Sequence, residues 1–225
     1  MPTGIVTGAS RGLGLALARA LDERGWRVIV DARGGDALAA ATAGLENVTA
    51  IPGDVADPAH RRALVEAAGD RIDLVVNNAS LLGPSPQPVL TDYPLETLRE
   101  VYDANVFGPL ALLQLALPRM PEAAAVLDIT SDAGVEPYEG WGGYGSSKAA
   151  LEQLTAILAA EQPGLRVYWV DPGDMRTQMQ QDAFPDEDIS DRPPPEESVP
   201  GLLALIEGSL PSGRYQAREL AEVPR

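Results

Sequence analysis

Thr7-Gly8-Ala9-Ser10-Arg11-Gly12-Leu13-Gly14, near the start of the chain, decides how the rest is read. It lies between a short aliphatic run, Ile5-Val6, and a segment from Gly12 to Arg24 in which Leu13, Leu17, Ala20 and Leu21 share one helical face. The order is therefore strand, glycine-rich turn, helix. Gly8 permits a tight turn, Gly12 lets the backbone approach a bulky anion, and Gly14 lets the helix pack close to the strand. The first turn of a helix leaves N–H groups without internal partners and carries the positive end of the dipole, so phosphates bind there. A dinucleotide pyrophosphate is the ligand such a turn suits.

Outward from this loop the pattern repeats. Aliphatic runs at Val28–Val30, Val48–Ile51, Leu74–Val76, Ala125–Thr130 and Val167–Val170 read as strands. Between them lie helical segments at about 36–43, 58–68, 95–117 and 144–161. Pro58 behind Asp57 is a helix-start signal, and Gly108-Pro109 predicts a kink in the long fourth helix. Strand and helix in alternation predict an α/β fold, a Rossmann-type doubly wound parallel sheet with helices on both faces. Short, wholly aliphatic strands suit a sheet covered on both sides. A final strand is placed at Arg214-Tyr215-Gln216.

The 225 residues suit one domain, 1–225. After Met175 the composition changes: prolines and acidic residues crowd together with Met175, Met179, Phe184 and Ile189 interspersed. Residues 174–211 are expected to form a mobile lid over a ligand site. The net charge of −16 repels nucleic acid and anionic lipid. With no cysteine and one histidine, His60, thiolate chemistry and multi-histidine metal sites are excluded, and no metal is expected. No run approaches the ~20 apolar residues of a membrane span, and no export signal precedes the first strand, so a cytoplasmic protein is expected.

The spacing G-x-x-x-G-x-G behind Thr7 resembles that of the short-chain dehydrogenase/reductase family. Further segments carry the resemblance in order: Asp54-Val55, Asn77-Asn78-Ala79, Asn105, Ser131, Tyr144-x-x-x-Lys148, and Pro172-Gly173 with Thr177. Together they reach from the first strand to about Thr177. The one departure is Ser80, where the fourth-strand motif usually ends in glycine. The resemblance implies a nicotinamide cofactor held by Gly8, Ser10, Arg11, Gly12, Leu13, Gly14, Arg33, Asp54, Val55, Asn78, Ala79, Tyr144, Lys148, Pro172, Gly173 and Thr177. It implies Ser131, Tyr144, Lys148 and Asn105 as the catalytic set.

The chemistry agrees with those residue types. Tyr144 and Lys148 are four apart and share a helix face. An ammonium beside a phenol favours the phenolate and lowers a pKa that is ordinarily about 10. The phenol can then exchange a proton with a carbonyl or alcohol oxygen while hydride moves to or from the nicotinamide. Ser131 can hydrogen-bond the same oxygen. By resemblance Asn105 anchors a water next to the lysine.

Two arginines favour NADP(H), with NAD(H) as the alternative. Arg33 follows the second strand where NADP enzymes of the family often carry a basic or hydroxyl residue, and Arg11 matches a second basic position. Asp31 argues the other way, but in the family register the NAD-selecting acid falls at Ala32, and strand neighbours point to opposite sides.

Near the pocket the resemblance places Leu81, Gln87, residues 135–141 and residues 175–184, which suggests an apolar, adaptable site for a small carbonyl or alcohol. Glu136, Glu139 and the overall charge argue against an acidic carrier protein as substrate. Family members commonly form homodimers or homotetramers, and Leu95, Leu98, Val101 and Val106 with Ala149, Leu151, Leu154 and Leu158 could supply the surface. Two other readings stay open: a catalytically silent NADP-binding regulator of the same fold, and an epimerase or dehydratase of the longer related type. The first need not retain Ser131, Tyr144 and Lys148 together, and the second usually has a larger C-terminal region.

Overall fold

A computed structural model describes residues 1–221. Seven parallel strands form one sheet: β1 (Thr3–Val6), β2 (Arg27–Ala32), β3 (Val48–Pro52), β4 (Leu74–Asn77), β5 (Ala125–Ile129), β6 (Arg166–Asp171) and β7 (Gly213–Gln216). Their order is β3-β2-β1-β4-β5-β6-β7. The chain first winds outward from β1 to β3, then returns to place β4 on the other side of β1. That reversal opens a crevice at the C-terminal ends of β1 and β4, where ligands bind in open α/β sheets.

Nine helices surround the sheet among the described residues. One apolar layer packs α1 (Gly12–Glu23) and α8 (Val199–Glu207) on one face, through Leu17, Leu21, Leu202 and Leu205. The opposite face carries α3 (Pro58–Ala68) and α5 (Gly108–Ala116), through Leu64, Val65, Leu112 and Leu113. Asp57 caps α3 by accepting from the N–H of Ala59 at 2.8 Å, with Pro58 in the first turn.

The long fourth helix differs from the sequence expectation. It divides into α4 (Leu95–Tyr102), a wide π turn over Asp103–Phe107, and α5. The break lies before Gly108-Pro109, not at it. Pro109 has no N–H, so the helical hydrogen bond back to the Asn105 carbonyl cannot form, and the preceding turn opens. Asn105 sits inside that turn.

The remaining helices are α2 (Gly35–Thr42), α6 (Gly142–Glu161), α7 (Gln178–Ala183) and α9 (Ala217–Ala221). No helix among the described residues is long and apolar enough to cross a membrane. No group of three His, Asp or Glu among them is placed to hold a metal ion.

Candidate active site

The glycine loop joins β1 to α1. Gly8 and Gly12 have φ of +72° and +59°, a backbone region that L side chains disfavour. A Cβ at Gly14 would lie 2.5 Å from the Gly8 carbonyl oxygen and from the Asn78 side-chain nitrogen. Gly14 is thus the point where helix and turn touch. The residue before α1, Arg11, makes no side-chain cap, so the first-turn N–H groups keep their capacity for an anion. A Cβ at Gly12 would meet only the Thr177 methyl, at 3.6 Å, which leaves the face of the loop open. This cradle fits a pyrophosphate.

The loop is shaped from β4. Thr7 Oγ1 accepts from the N–H groups of Asn78 and Ala79, both at 3.0 Å. The Asn78 amide donates to the carbonyls of Thr7 (2.8 Å) and Gly8 (3.1 Å). Asn78 and Thr7 therefore spend their polar groups on holding the turn.

Asp31 lies under the loop. It is buried, accepts from the Gly8 N–H at 2.7 Å, and pairs with His60 Nε2 at 2.9 Å. Both of its carboxylate oxygens are thus engaged inside the fold. The isolated His60 gave no sequence signal for this contact, because 29 residues separate the two partners. Replacing His60 by alanine leaves a buried carboxylate oxygen without its partner, and the expected loss is about 1–3 kcal/mol of stability, read as a lower urea midpoint.

Arg11, on the glycine loop, and Arg33, just after β2, are both exposed. Ser10 is half-buried and Leu13 buried. Asp54 is half-buried and accepts from the Ala56 N–H at 2.9 Å, while Val55 is buried beside it. On the far side, Gly173 (φ +74°) donates to Asp171 Oδ1 at 2.9 Å, and the Pro172 carbonyl accepts from Ser198 at 2.8 Å. Thr177 caps α7, and its methyl faces Gly12. Of these, Pro172, Gly173 and Thr177 line one cleft with Ser131 and Tyr144, and the glycine loop approaches it where Gly12 faces the Thr177 methyl.

Ser131, Tyr144 and Lys148 meet where β5 ends and α6 begins. Tyr144 is 8% exposed and Lys148 2%. Lys148 Nζ donates to the Ile129 carbonyl at 2.7 Å and stands 5.4 Å from the Tyr144 ring centroid. Burial pulls the lysine pKa down to about 8, against the opposing charges of Asp128 and Glu152.

The tyrosine departs from the sequence expectation, because its pKa is raised rather than lowered. Burial is the largest cause; Asp171 and Asp132 add to it, while the hydroxyls of Ser80 and Ser131 oppose it. Lys148 lies over the face of the ring, and desolvation of the phenolate outweighs any help from that position. Tyr144 is therefore held as a neutral phenol, a proton donor.

Ser131 Oγ donates to Asp132 Oδ1 at 2.8 Å and accepts from the Ala133 N–H at 3.2 Å. Tyr138 donates to the other Asp132 oxygen at 3.0 Å. Asn105 is 1% exposed: its Oδ1 accepts from the Leu81 N–H at 2.7 Å, and its Nδ2 donates to the Leu81 carbonyl and to Ser147 Oγ, both at 2.9 Å. The side chain is thus a clamp between the β4 loop and α6. Beneath the lysine, Asp128 accepts from Asn77 at 2.7 Å and from Thr155 at 2.5 Å. Burial raises its pKa in spite of these bonds and of the nearby Lys148.

A cleft of about 90 Å³, open to solvent, lies in front of Ser131 and Tyr144. Leu82, Trp141, Met175, Met179 and Ala183 supply apolar wall, and Asp132, Asp171 and Asp174 supply carboxylates. The Trp141 ring lies 5.8 Å from those of Tyr144 and Phe184. Sequence reasoning had Trp141, Met175 and Met179 near the pocket. It missed Asp132 and Asp171, which carry no spacing signal of their own, and it noted Ser80 only as a departure in the β4 motif.

The sequence profile of the family described as short chain dehydrogenase matches residues 3–188. The chain is 32% identical to the benzil reductase ((S)-benzoin forming) of Saccharomyces cerevisiae over 197 residues, which is 79% of this chain and 73% of that protein. It is 33% identical to the rhamnolipids biosynthesis 3-oxoacyl-[acyl-carrier-protein] reductase of Pseudomonas aeruginosa over 226 aligned positions, covering 94% of this chain and 82% of the relative. Among solved structures, a short chain dehydrogenase from Shigella flexneri complexed with NADP superposes with a TM-score of 0.87 at 27% identity, covering 96% of this chain and 97% of that one. With a parallel sheet, a phosphate cradle at its switch point and these likenesses along its length, the chain belongs to the short chain dehydrogenase family, and is an oxidoreductase acting on CH–OH or C=O groups with a nicotinamide cofactor.

Proposed function

We propose that this chain is an NADPH-dependent carbonyl reductase in which Tyr144 gives the proton, Ser131 holds the substrate oxygen and Lys148 supports the phenol. One observation carries the reading: Tyr144 and Ser131 line the same cleft, with Lys148 buried behind them over the Tyr144 ring and the phenol kept neutral by its surroundings. The residues assigned above to the cofactor would hold it, and when bound it supplies the hydride. Tyr144 passes its proton to the carbonyl oxygen. Ser131 turns its hydroxyl from Asp132 to the same oxygen and stabilises the charge developing there. Asn105 holds the β4 loop and α6 in register. A phenol that resists ionisation is held in the protonated form that reduction requires.

The choice of NADPH rests on the exposed Arg11 and Arg33 and on Asp31 being engaged inside the fold. The NADP-complexed relative supports it. For the substrate, Trp141, Phe184 and Met179 favour a neutral carbonyl compound with an apolar, aromatic body, a class to which the substrate named for the yeast relative belongs. Glu136 and Glu139 are exposed beside the cleft and disfavour an acidic carrier protein, in contrast to the name of the Pseudomonas relative. Within segment 174–211 the part before α8 serves as the lid, since Met175 and Met179 line the cleft and Ser85 donates to the Asp182 carbonyl at 2.6 Å to fasten it, whereas α8 is built into the core. The chain is read as one domain working in the cytoplasm.

Assembly into a homodimer or homotetramer is part of the proposal, with a changed surface. Val101, Val106 and Leu151 are buried within their own chain, whereas Leu95, Phe107 and Ile157 are exposed and available.

The direct test is a panel of aryl diketones, simple ketones, aldehydes and a carrier-bound 3-oxoacyl thioester. Each is offered with NADPH and with NADH, and the nicotinamide absorbance is followed. Consumption of NADPH with aryl ketones is the expected result; binding without consumption across the panel, or efficient turnover of the carrier thioester, defeats the respective claim.

A pH dependence follows from Lys148. Its charge is kept below about pH 8 and lost above it, whereas the phenol stays protonated through this range. Ketone reduction is therefore expected to decline as pH rises past 8. A Lys148→Arg variant that retains activity is expected to lose this decline, because arginine keeps its charge.

A further inference from the structure

Ser80 marks the one departure from the family pattern, and its surroundings give the departure a use. Its hydroxyl oxygen is closed off from solvent and has no hydrogen-bond partner among the described residues. Such an atom is unfavourable at rest, and folds keep few of them. The backbone around it cannot move away to relieve it. Asn105 grips the next residue, Leu81, through both its N–H and its carbonyl, and the same amide reaches Ser147 on α6. Ser147 in turn donates to the Tyr144 carbonyl at 2.6 Å. One buried side chain therefore ties the loop carrying Ser80 to the helical turn carrying Tyr144. Leu82, Ala133 and Tyr144 pack together just beyond. The Ser80 hydroxyl lies close enough to the Tyr144 phenol to oppose the effect of burial on it, as Ser131 does, without a formed hydrogen bond.

Resting on the reading of Tyr144 as proton donor, we propose that Ser80 is a positioning residue for that step, its hydroxyl engaging the phenolic oxygen as the proton leaves. The carbonyl carbon receives a hydride, with the reduced nicotinamide as reductant, and the carbonyl oxygen takes the proton of the Tyr144 O–H. The electron pair of that O–H bond stays on the Tyr144 oxygen as phenolate. The carbonyl is reduced and the nicotinamide oxidised. A phenolate is a far better acceptor than a phenol, so the contact between the Ser80 hydroxyl and the Tyr144 oxygen, loose at rest, becomes a full hydrogen bond as the reaction proceeds. Ser131 and Ser80 then divide the work: one serves the substrate oxygen, the other the oxygen that gave the proton.

The test uses Ser80→Ala and Ser80→Gly, both lacking the hydroxyl and differing only in Cβ. In both, kcat for ketone reduction is expected to fall roughly tenfold, the usual weight of one hydrogen bond to a charged group. The KM for ketone and the Kd for NADPH, read by fluorescence, are expected to hold. The solvent deuterium isotope effect on kcat is expected to grow. Incorporating fluorotyrosine, whose phenol is more acidic, is expected to restore most of the loss, which it could not do for a misfolded loop. In the cofactor-free protein the carbon-13 ζ resonance of Tyr144, assigned with Tyr144→Phe, is expected to move in both variants.

An unchanged kcat and isotope effect, or a loss that fluorotyrosine does not restore, overturns the proposal. So does a loss confined to the glycine variant, which would place the effect in the backbone. If the unsubstituted protein reduces no carbonyl at all, the reading of the site fails, and the ζ resonance still decides whether Ser80 engages the phenol.

Discussion

Tyr144→Phe is expected to lower carbonyl reduction by about 10²–10⁴-fold, the range for loss of a positioned general acid, while NADPH still binds. The ring is 8% exposed and packs edge-on to Trp141 with Leu82 and Ala133 beside it. Phenylalanine keeps that packing, and only the hydroxyl is lost. Because the acidity of the group is set chiefly by burial, no neighbour stands ready to replace it: Ser131 is bonded to Asp132, and Lys148 to the Ile129 carbonyl. Steady-state turnover and fluorescence titration of NADPH separate the two effects. A Phe variant that reduces ketone at the rate of the unsubstituted protein removes Tyr144 from the mechanism.

Arg33→Ala is expected to weaken NADPH roughly 10–100-fold and NADH hardly at all. Charge-assisted bonds to a phosphate are about twice as strong as neutral ones, and only NADPH carries the 2′-phosphate. Arg33 follows β2 and Arg11 lies on the glycine loop, both exposed. Asp31, the acid one would fear as a repellent to that phosphate, is 1% exposed and engaged with Gly8 and His60. Arg11→Ala added to Arg33→Ala should deepen the loss. Equal weakening of both cofactors would remove the arginines from the choice. A full-strength response of NADH to Arg33→Ala would point to adenosine ribose contacts instead.

The fold was legible because its signal is local. Strand, turn and helix each announce themselves within a dozen residues, and the observed elements lie within a few residues of those expected, β7 included. Residues 58–68, with Asp57 as cap, were marked by their own sequence. The break before α5 was expected at Gly108-Pro109, yet proline exerts its effect on the carbonyl four residues earlier, so the turn opens around Asn105. The site was legible only where a motif has fixed spacing. Asp31 with His60, Asp128 with Thr155, and Ser80 against Tyr144 are brought together across 29, 27 and 64 positions. No periodicity reports on such pairs. The sign of the phenol's shift was missed for a related reason: sequence names the ammonium but is silent on how much water burial removes.

The clasp between Thr7 and the Asn78–Ala79 backbone also bears on how the polypeptide comes to its native form. Thr7 leaves the ribosome about 70 residues before the groups that complete its turn, and β1 lacks its β4 neighbour for equally long. Contacts of such sequence separation form slowly, because the intervening loop must close before they return any free energy. The nucleotide cradle is therefore a late product of translation, and a nascent chain halted before residue 79 should expose an unpaired, aliphatic strand edge open to capture by chaperones or by its own copies.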